Sequence, residues 1–362
     1  MIRIVNMPKI SVIIPVYNTK PYLEQCLKSV TEQTFTDLEI LCVDNSSTDG
    51  SYEELSRLAK EDARIKLFRV PNLGPGSGRN KGLDEAHGEY VLFLDSDDFF
   101  APNACEVLYA AVKKENLDIA TCEFYEYHEQ TGKYTPRSKA LELPCKHVLD
   151  AAAGDSPEEF AKLAFAWPFV CFKLIRRQII ESVHLRFPTG AAEDVPFCVS
   201  LLMLCKKVRL LDGQYLQYYR IGRSGNISGN GSKMALDGVK NFGILAENLR
   251  KYGVFEQVKE TYWFNFMVLL IGDERLFVGR LGNVPAETVR QVYGLIRPQV
   301  AALDLNLFSH RNAMFRWKVR RFRQAVLNDD VAFPRKLRKL RNVLMIFLDP
   351  WYKLKAKFRK RL

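Results

Sequence analysis

The stretch that decides the fold is Tyr90–Asp98, YVLFLDSDD, in which an apolar run of five residues is followed by three aspartates and a serine. A short, continuous apolar run is typical of a strand that is buried on both faces. Carboxylates one residue apart at the end of such a strand can hold a hard divalent cation, which can also bind the phosphates of a nucleotide. The same residues would equally suit an acidic turn that caps the following helix, with Asp98 or Asn103 as the cap.

Three further β-rich runs precede this stretch and alternate with helical patterns. The runs are Ile10–Ile14, Leu38–Val43 and Ile65–Val70; the helical patterns are Pro21–Gln33 and Ser51–Asp62, and a loop is predicted at Pro71–Gly78. Continuous apolar strands separated by helices predict a parallel sheet that is covered on both faces. Ligands bind beyond the carboxyl ends of the strands in such sheets. We therefore expect Asp44 and Asp95, which each follow a strand, to line one crevice.

The pattern becomes less regular after Asn103 and predicts a mixed second half. Strands are predicted at Leu117–Tyr127, Val170–Ile175 and Val208–Tyr219, with a helix at Glu193–Lys206 and a mostly helical region at Lys233–Gln299. The chain is therefore expected to combine an α/β sheet with a helical region nearer its end.

The net charge of the 362 residues is +11, and the positive excess is concentrated at the end of the chain. Residues 311–362 contain 17 Lys and Arg against three Asp and Glu. Because this excess of 14 is larger than that of the whole chain, the preceding residues are slightly acidic. A slightly acidic body gives no reason to expect a nucleic-acid-binding protein.

Cysteine usage and the absence of long apolar segments indicate a cytoplasmic protein. The eight cysteines lie mostly within apolar runs and form no C-x-x-C pair, which favours reduced thiols over a disulfide framework or a zinc ribbon. The first residues, MIRIVNMPKI, contain no long apolar segment, and Val343–Leu348 is too short to span a bilayer.

Four motifs occur in order along the first hundred residues. They are IPVYN at 14–18, VDNSSTDG at 43–50, GSGRNKGL at 76–83 and FLDSDD at 93–98. This ordered set resembles the family 2 glycosyltransferases, which are inverting enzymes of the GT-A fold, and the resemblance covers roughly residues 10–220. It implies an α/β architecture with a Rossmann-like nucleotide-binding sheet and a mixed acceptor half, followed here by the C-terminal helical region.

The resemblance also implies which residues bind the donor. Pro15 and Tyr17 would shape the pocket for the nucleotide base, and Asp44 would hydrogen-bond the base with Asn45 beside it. Arg79 would brace the donor pocket. Asp44 has an alternative interpretation, in which it only caps the next helix.

In the acidic turn, the resemblance places Asp95 and Ser96 near the ribose. Asp97, together with Asp95, would bind Mn²⁺ or Mg²⁺ on the diphosphate. Such a cation typically takes one or two protein carboxylates plus phosphate oxygens.

Glu193-Asp194, in AAEDVPF, matches the Glu-Asp pair of the family, in which the aspartate is the usual general base. Inversion by single displacement requires a carboxylate opposite the leaving diphosphate, where it takes the proton of the acceptor hydroxyl. Glu193 would assist Asp194. The same pair would otherwise serve only as first-turn acids that the helix dipole favours.

Three basic residues are weaker candidates for contacts with substrate. Lys173, in FVCFKLIRR, matches a frequent lysine of the family that would contact donor or acceptor. Arg220 and Arg223, in YYRIGRSGNIS, resemble a family segment that closes over the diphosphate. Solvated surface charge explains each of the three nearly as well.

Two stretches of the basic tail, Ala313–Leu327 and Arg335–Leu362, combine aromatic residues and leucines with Lys and Arg at near-helical spacing. This pattern favours helices that lie in a membrane interface, with cations toward anionic lipid. The alternatives are an RNA-binding arm and a helix packed on a partner chain. We expect peripheral attachment to the inner face of the cell membrane.

The sequence thus predicts an inverting, metal-dependent glycosyltransferase that moves a sugar from a nucleotide-sugar, UDP-linked, to a hydroxyl of a glycan or lipid-linked acceptor in surface polysaccharide biosynthesis. The alternatives are a sugar-phosphate nucleotidyltransferase, although the Gly-rich loop usual after its first strand is absent from PVYNTKPY, and a non-catalytic membrane-peripheral protein. The expected segments are 1–115 (nucleotide-sugar binding), 116–232 (acceptor binding and catalysis), 233–310 (helical extension) and 311–362 (basic tail).

Overall fold

The predicted β-rich runs form one mixed sheet in the computed structural model, which describes residues 7–137, 148–223, 231–272 and 280–340. Its strands, in chain order, are β1 Ile10–Val16, β2 Leu38–Asp44, β3 Ile65–Arg69, β4 Tyr90–Phe93, β5 Phe99–Phe100, β6 Ile119–His128, β7 Lys133–Arg137, β8 Val148–Asp150, β9 Lys173–Arg176 and β10 Lys207–Ile221. Along the sheet the order is β3-β2-β1-β4-β9-β6-β10-β5, with β7 beside β6 and β8 beside β10.

The first four long strands are parallel, as the sequence pattern predicts. β1 pairs in parallel with both β2 and β4, and β2 pairs in parallel with β3. Every residue of β1, β2 and β4 is buried, which confirms that helices cover both faces of this part of the sheet. Because β2 and β4 flank β1, Asp44 and Asp95 come at the same edge of the sheet, beyond the carboxyl ends of the strands.

The second half of the sheet is mixed. β9 is antiparallel to its neighbours β4 and β6, whereas the long strand β10 runs parallel to β6. Two register shifts interrupt the pairing of β10 with β6 before Gln217, after which the pairing is regular. The regular part fixes which side chains of β6 and β10 share a face.

The helices, in chain order, are α1 Lys20–Thr31, α2 Ser51–Leu58, α3 Pro75–Asp84, α4 Ala104–Glu115, α5 Pro157–Ala166, α6 Arg177–Ser182, α7 Asp194–Leu204, α8 Gly231–Lys251, α9 Phe255–Ile271, α10 Ala286–Ala301 and α11 Ala313–Leu327. The mostly helical region predicted at Lys233–Gln299 is confirmed, and its described residues lie largely in the three helices α8 to α10. In the described ranges, no helix combines the length and the apolar character needed to cross a bilayer.

Helix α3 begins inside the loop predicted at Pro71–Gly78, so the prediction is wrong for its second half. The helix begins at Pro75, because a proline needs no intrahelical N–H partner in the first turn. Gly78, one of the glycines that suggested a loop, is instead required by close packing: a Cβ there would lie 3.1 Å from Cβ of Pro15 in β1.

The strand predicted at Val170–Ile175 is also shorter than expected, because β9 begins only at Lys173. The preceding residue, Phe172, has φ +74°, a conformation that side-chain-bearing residues rarely adopt. The N–H of Val170 is used by a carboxylate instead of by the sheet.

The chain divides into two compact units. The first comprises Met1–Asn226 with Ile244–Val258 and contains the whole sheet; the second comprises Ile227–Gly243 with Lys259–Leu362. The seven cysteines within the described ranges are buried and unpaired, as the sequence predicts.

Helix α11 in the second unit confirms the helical pattern of Ala313–Leu327 but not a free apolar face. Phe315, Val319 and Phe322 on that face are buried. Of its aromatic residues, Trp317 stays 39% exposed. The part of the predicted tail from residue 341 onward lies outside the described residues.

Candidate functional site

A buried arginine joins three carboxylates that are distant in sequence. Arg79, on α3, is only 3% exposed, and its Nη2 donates to Oδ1 of Asp95 at 2.8 Å. Its Nη1 donates to Oδ1 of Asp194 at 3.0 Å and also to Oε1 of Glu193. The acidic turn after β4 and the start of α7 are thereby held together, so the structure brings four of the predicted site residues into one cluster.

Charges inside this cluster interact strongly because the side chains of Arg79 and Glu193 are buried. Burial alone would lower the pKa of Arg79, but the charges of Asp194, Asp95 and Glu193 raise it well above its ordinary value, so the guanidinium stays charged. Burial, followed by the charge of Asp194, raises the pKa of Glu193 to about 7. Burial also raises the pKa of Asp194, against the opposing effect of Arg79.

Asp194 and Glu193 differ in how they face solvent. The Asp194 side chain is 20% exposed, whereas that of Glu193 is 7% exposed. Asp194 is the first residue of α7, and its Oδ2 accepts a hydrogen bond from the N–H of Val170 at 3.2 Å. A carboxylate that is fixed by two partners and still reachable is the better placed of the two to accept a proton from a substrate.

The three aspartates of the acidic turn have different partners. Asp98 is 1% exposed and accepts hydrogen bonds from the N–H of Arg220 at 2.8 Å and from Nε2 of Gln217 at 3.3 Å, so it fastens the turn to β10. Burial, then the charges of Asp97 and Asp95, raises its pKa well above the ordinary value. Neither Asp98 nor Asn103 caps α4 with its side chain, which makes the capping interpretation wrong.

Asp97 pairs with an arginine from the segment after β10. Its Oδ2 accepts a hydrogen bond from Nε of Arg223, and its carboxylate is 14% exposed. Burial, followed by the negative charge of Asp95, raises the pKa of Asp97. The two carboxylates therefore repel each other, and a cation between them would relieve this repulsion.

Arg220 is an anchor and not a solvated surface charge. It is 3% exposed, its guanidinium carbon lies 4.7 Å from the ring centre of Tyr22, and its Nε donates to the carbonyl of Asp97 at 2.6 Å. Nη2 donates to Oε1 of Gln25 at 2.5 Å, and Nη1 pairs with Glu129. These contacts hold the acidic turn against β10.

Asp97 and Asp95 fit a divalent cation. No three His, Cys, Asp or Glu side chains in the described ranges are grouped so that they could hold a metal ion by themselves. Two carboxylates completed by phosphate oxygens are, however, a usual arrangement for Mg²⁺, and hard oxygen donors also suit Mn²⁺. The residues present are therefore compatible with a metal bound together with a diphosphate.

The residues predicted to bind the base lie at the ends of β1 and β2. Asp44 is fully buried, accepts hydrogen bonds from the N–H of Ser47 at 3.2 Å, and pairs with Nε of Arg69 at 3.1 Å. It does not cap α2, whose cap position is Gly50. Tyr17, just beyond β1, is 44% exposed and presents its ring at this end of the sheet.

Asn45 connects this region to the start of α3. Its Nδ2 donates to the carbonyl of Gly74 at 2.7 Å and to Oγ of Ser77 at 3.1 Å, while its buried Oδ1 has no hydrogen-bond partner among the described atoms. A Cβ on Gly78 would lie 2.4 Å from that Oδ1 and 3.1 Å from Cβ of Pro15. Gly78 is therefore required for α3 to approach the ends of β1 and β2.

Ser96 and Lys173 both point into the protein. Oγ of Ser96 lies 2.8 Å from Oγ1 of Thr19, so this hydroxyl joins the acidic turn to the start of α1. Lys173 is 2% exposed, and its ammonium donates to the carbonyl of Trp167 at 2.9 Å and to that of Phe169. Burial lowers the pKa of Lys173 to about 8. These contacts give Lys173 an indirect connection to the site through the segment before β9.

Sequence reasoning missed several partners that complete the site. Gln25 and Glu129 bind Arg220 of β10, Gln217 binds Asp98 of the turn, and the N–H of Val170 binds Asp194. Gln25, Glu129 and Gln217 belong to no recognisable motif, and Val170 lies in FVCFKLIRR, which was singled out only for Lys173. The guanidinium groups of Arg220 and Arg223 both lie over the ring of Tyr22. Tyr22 comes four residues after the IPVYN motif, and this closeness to a motif is the signal that could have identified it from the sequence.

Known proteins that resemble this chain are glycosyltransferases. The model of the family described as glycosyl transferase family 2 matches residues 11–192, half of the chain, and ends one residue before Glu193. The uncharacterized glycosyltransferase EpsJ of Bacillus subtilis (strain 168) is 33% identical over 214 residues, which is 58% of this chain and 61% of that protein. The poly(ribitol-phosphate) beta-glucosyltransferase of Bacillus spizizenii is 32% identical over 224 residues, which is 60% of this chain and 33% of that protein.

The fold is that of a solved glycosyltransferase structure. The crystal structure of S. aureus TarS 1–349 in complex with UDP-GlcNAc superposes with a TM-score of 0.70 at 18% identity, covering 91% of this chain and 90% of that one. This match confirms the GT-A fold with a helical C-terminal region. Together with the family model and the convergence of Arg79, Asp95 and Asp194, it shows that the chain belongs to glycosyltransferase family 2.

Proposed function

We propose that this glycosyltransferase inverts the anomeric centre of a UDP-linked sugar while it moves that sugar to a hydroxyl of a cell-surface glycan or lipid-linked acceptor. The observation that carries the proposal is the shared guanidinium of Arg79, which binds Asp95 of the acidic turn and Asp194 at the start of α7. One buried residue thereby links the predicted donor-binding turn with the predicted base.

The donor end of the proposed site is formed by the turn and by the ends of β1 and β2. Tyr17 would lie against the base, and Asp44 and Asn45 would hold that end of the pocket. Asp95 and Asp97 would hold Mn²⁺ or Mg²⁺, which when bound would neutralise charge on the leaving diphosphate. The UDP-GlcNAc complex of TarS supports a UDP-linked donor, since that protein shares the fold.

The acceptor end is built around Asp194. Its carboxylate would take the proton of the attacking hydroxyl, while Arg79 and the N–H of Val170 hold it in place. Glu193 shares Arg79 with Asp194 and is more buried, so it would regulate the charge of the pair and not receive the proton itself. A positioned base of this kind is typically worth about 10²–10⁴ in rate.

The name of the Bacillus spizizenii relative supports a polymeric cell-surface acceptor. That relative is matched over only a third of its length, so its acceptor is a guide to the class of molecule and not to its identity.

Thermal stabilisation by nucleotides tests the donor assignment directly. UDP with Mn²⁺ is expected to raise the melting temperature, since a ligand that binds only the folded state stabilises it by mass action. The same scan with GDP, and with UDP plus EDTA, provides the controls. Stabilisation by UTP together with a sugar 1-phosphate, accompanied by pyrophosphate release, would instead support the nucleotidyltransferase alternative.

A second proposal concerns the end of the chain, where we infer reversible docking to the inner face of the membrane. Trp317, Leu327 and Leu340 are exposed in the second unit, and Arg320 and Arg321 are exposed beside Trp317. Exposed aromatic and aliphatic side chains among cations suit an anionic lipid surface, where each cation contributes about 1 kcal/mol.

Vesicle sedimentation tests this docking. The double variant Arg320→Glu, Arg321→Glu is expected to sediment less with vesicles containing phosphatidylglycerol, while no form of the protein sediments with phosphatidylcholine alone. The double variant Lys28→Glu, Lys60→Glu, at exposed lysines of the first unit, is the matched charge reversal. Equal sedimentation of the double variant and the unaltered protein would contradict the docking surface.

A further inference from the structure

Two exposed aromatic residues directly precede residues that bind carboxylates of the site. Phe169 is 48% exposed and Tyr219 is 36% exposed, and both belong to the first unit. Phe169 precedes Val170, whose N–H binds Asp194, and Tyr219 precedes Arg220, whose N–H binds Asp98. Both lie in segments that were singled out for a basic residue, but neither aromatic ring was itself a predicted site residue. Single exposed apolar side chains are common on proteins.

The peptide group that follows Phe169 is held on both of its polar atoms. The carbonyl of Phe169 accepts a hydrogen bond from the ammonium of Lys173, and the N–H of Val170 donates to Oδ2 of Asp194 at 3.2 Å. The backbone that follows the exposed ring is therefore fixed, and one of its partners is the carboxylate proposed to meet the acceptor hydroxyl.

Lys173 explains why this segment is rigid. A buried lysine is unusual, because removing its charge from water is unfavourable unless hydrogen bonds compensate. Here the compensation comes from the carbonyls of Trp167 and Phe169, at the two ends of a three-residue turn. The lysine thus fastens the turn that presents Phe169.

Tyr219 lies next to the acidic turn. The N–H of the next residue, Arg220, donates to Oδ1 of Asp98 at 2.8 Å, which places the backbone of Tyr219 at the turn. Burial, followed by the charges of Asp98, Asp95 and Asp97, also raises the pKa of Tyr219 to about 12. The regular register of β10 and β6 puts Tyr219 on the same face as Phe124, and their rings meet edge to face at 6.0 Å.

A buried aromatic stack connects the two positions. Phe124 stacks on Phe172 at 4.7 Å, and the ring of Trp167 packs edge-on against both, at 5.9 and 6.1 Å. Trp167 belongs to the turn that presents Phe169, and Phe124 contacts Tyr219. The cluster therefore contacts the ring of Tyr219 and includes a residue of the turn that carries Phe169, so both positions are attached to one packed core, which limits the entropy lost when a ligand covers them.

We propose that Phe169 and Tyr219 form the acceptor subsite, an apolar platform on which a sugar ring of the acceptor lies while its hydroxyl meets Asp194. This inference rests on the proposed function, because it takes Asp194 as the base. A pyranose has one face rich in C–H groups and a rim of hydroxyls. An aromatic surface beside a carboxylate matches both, since the aromatic surface buries the C–H face and the carboxylate orients one hydroxyl.

Fluorescence tests binding without requiring that the natural acceptor is known. In Phe169→Trp, the added indole should change its emission when methyl glycosides of glucose, galactose and N-acetylglucosamine are titrated in the presence of UDP and Mn²⁺. Tyr134→Trp is the matched control: Tyr134 is 56% exposed, but it packs on Tyr125 and Tyr218, on the opposite face of the sheet. Emission that responds to none of the sugars, or equally in both variants, would overturn the platform.

Kinetics then separate the acceptor from the donor. With whichever methyl glycoside changes the emission, Phe169→Ala should raise the KM for that sugar about tenfold, the scale of a lost aromatic contact. Phe169→Tyr should remain close to the unaltered protein, as should Tyr134→Ala. An unchanged KM in Phe169→Ala contradicts the platform.

The donor measurement distinguishes failure of this inference from failure of the proposed function. Stabilisation by UDP and Mn²⁺ should be the same in Phe169→Ala and in the unaltered protein. If Phe169→Ala weakens UDP stabilisation instead, the ring belongs to the donor pocket and the platform assignment is wrong. If the unaltered protein itself is not stabilised by any nucleotide, the proposed function fails first.

Discussion

Nη1 of Arg79 lies 3.0 Å from Oδ1 of Asp194, and the guanidinium that makes this contact is almost completely buried. The same nitrogen also binds Glu193, and the other terminal nitrogen binds Asp95. The guanidinium of Arg79 therefore balances the charge and fixes the position of the carboxylates at both ends of the proposed site, the donor end at Asp95 and the acceptor end at Asp194. Removing a partner from such a buried ion cluster is costly, because an uncompensated charge remains.

Replacing Asp194 with asparagine is expected to abolish most transfer while leaving donor binding intact. The amide keeps the shape and can still contact Val170 and Arg79, but it cannot accept the proton of the acceptor hydroxyl, so turnover should fall by about 10²–10⁴. Steady-state transfer and UDP-induced stabilisation should be measured on the same preparation. Asp84→Asn, at a half-exposed carboxylate elsewhere on the protein, is the control. Near-normal turnover in Asp194→Asn would remove this residue from the mechanism.

Replacing Glu193 with glutamine should leave the acid limb of the pH–activity profile close to its position in the unaltered protein. Burial, then the charge of Asp194, raises the pKa of Glu193 to about 7, so Glu193 is mostly protonated and neutral below pH 7. Glutamine copies this neutral form, and the acid limb is set by Asp194, whose own pKa is raised by burial. Transfer rates measured across pH for both proteins check this expectation. A limb that moves to another pH would contradict it, and complete loss of activity at every pH would identify Glu193 as the base.

Replacing Asp97 with asparagine should remove the metal-dependent part of UDP binding. In the unaltered protein, UDP with Mn²⁺ at one hundred times its Kd should stabilise the fold by about 2.7 kcal/mol. Asp97→Asn keeps the size of the side chain but loses the charge that a divalent cation requires. Asp62→Asn, where the carboxylate pairs with Arg64 outside the site, serves as the comparison. If Mn²⁺ still enhances the UDP effect in Asp97→Asn, another residue must hold the metal.

Replacing Gly78 with alanine should destabilise the protein, whereas the same change at Gly294 should not. A Cβ on Gly78 would lie 2.4 Å from Oδ1 of Asn45, so α3 or the end of β2 must shift, at a cost of about 1–3 kcal/mol. Gly294 lies inside α10, where the methyl group of an alanine would have no described atom of another element within 4 Å. Alanine at this position should therefore stabilise the protein by about 0.5–1 kcal/mol. Urea denaturation of both variants measures the difference, and equal midpoints would contradict it.

Local pattern was sufficient to predict the parallel half of the sheet. β1, β2 and β4 are short apolar runs that end at a proline-containing turn or an aspartate, and each lies within a residue or two of its expected bounds. Their order along the chain, with helices between them, allowed Asp44 and Asp95 to be placed at one edge of the sheet.

Features that depend on distant partners were not predictable in the same way. Whether the glycines of α3 form a loop or a helix is decided by β1 and β2, against which the helix packs. The role of Asp98 depends on Arg220, 122 residues away, and that of Val170 on Asp194. No short-range pattern encodes such pairs. The sequence therefore indicated that the turn was acidic, but not which of its carboxylates are occupied by structural hydrogen bonds and which could bind a ligand.

The ion pair between Arg223 and Asp97 has a consequence for the order in which ligands enter. A divalent ion arriving by itself competes with a guanidinium that is tethered a few ångströms from the same carboxylate and so acts at high effective concentration. An ion already chelated by a nucleotide brings phosphate oxygens that can receive the displaced guanidinium. Cation and nucleotide would then be admitted as one chelate, and cellular Mn²⁺ or Mg²⁺ without nucleotide would leave the enzyme largely untouched.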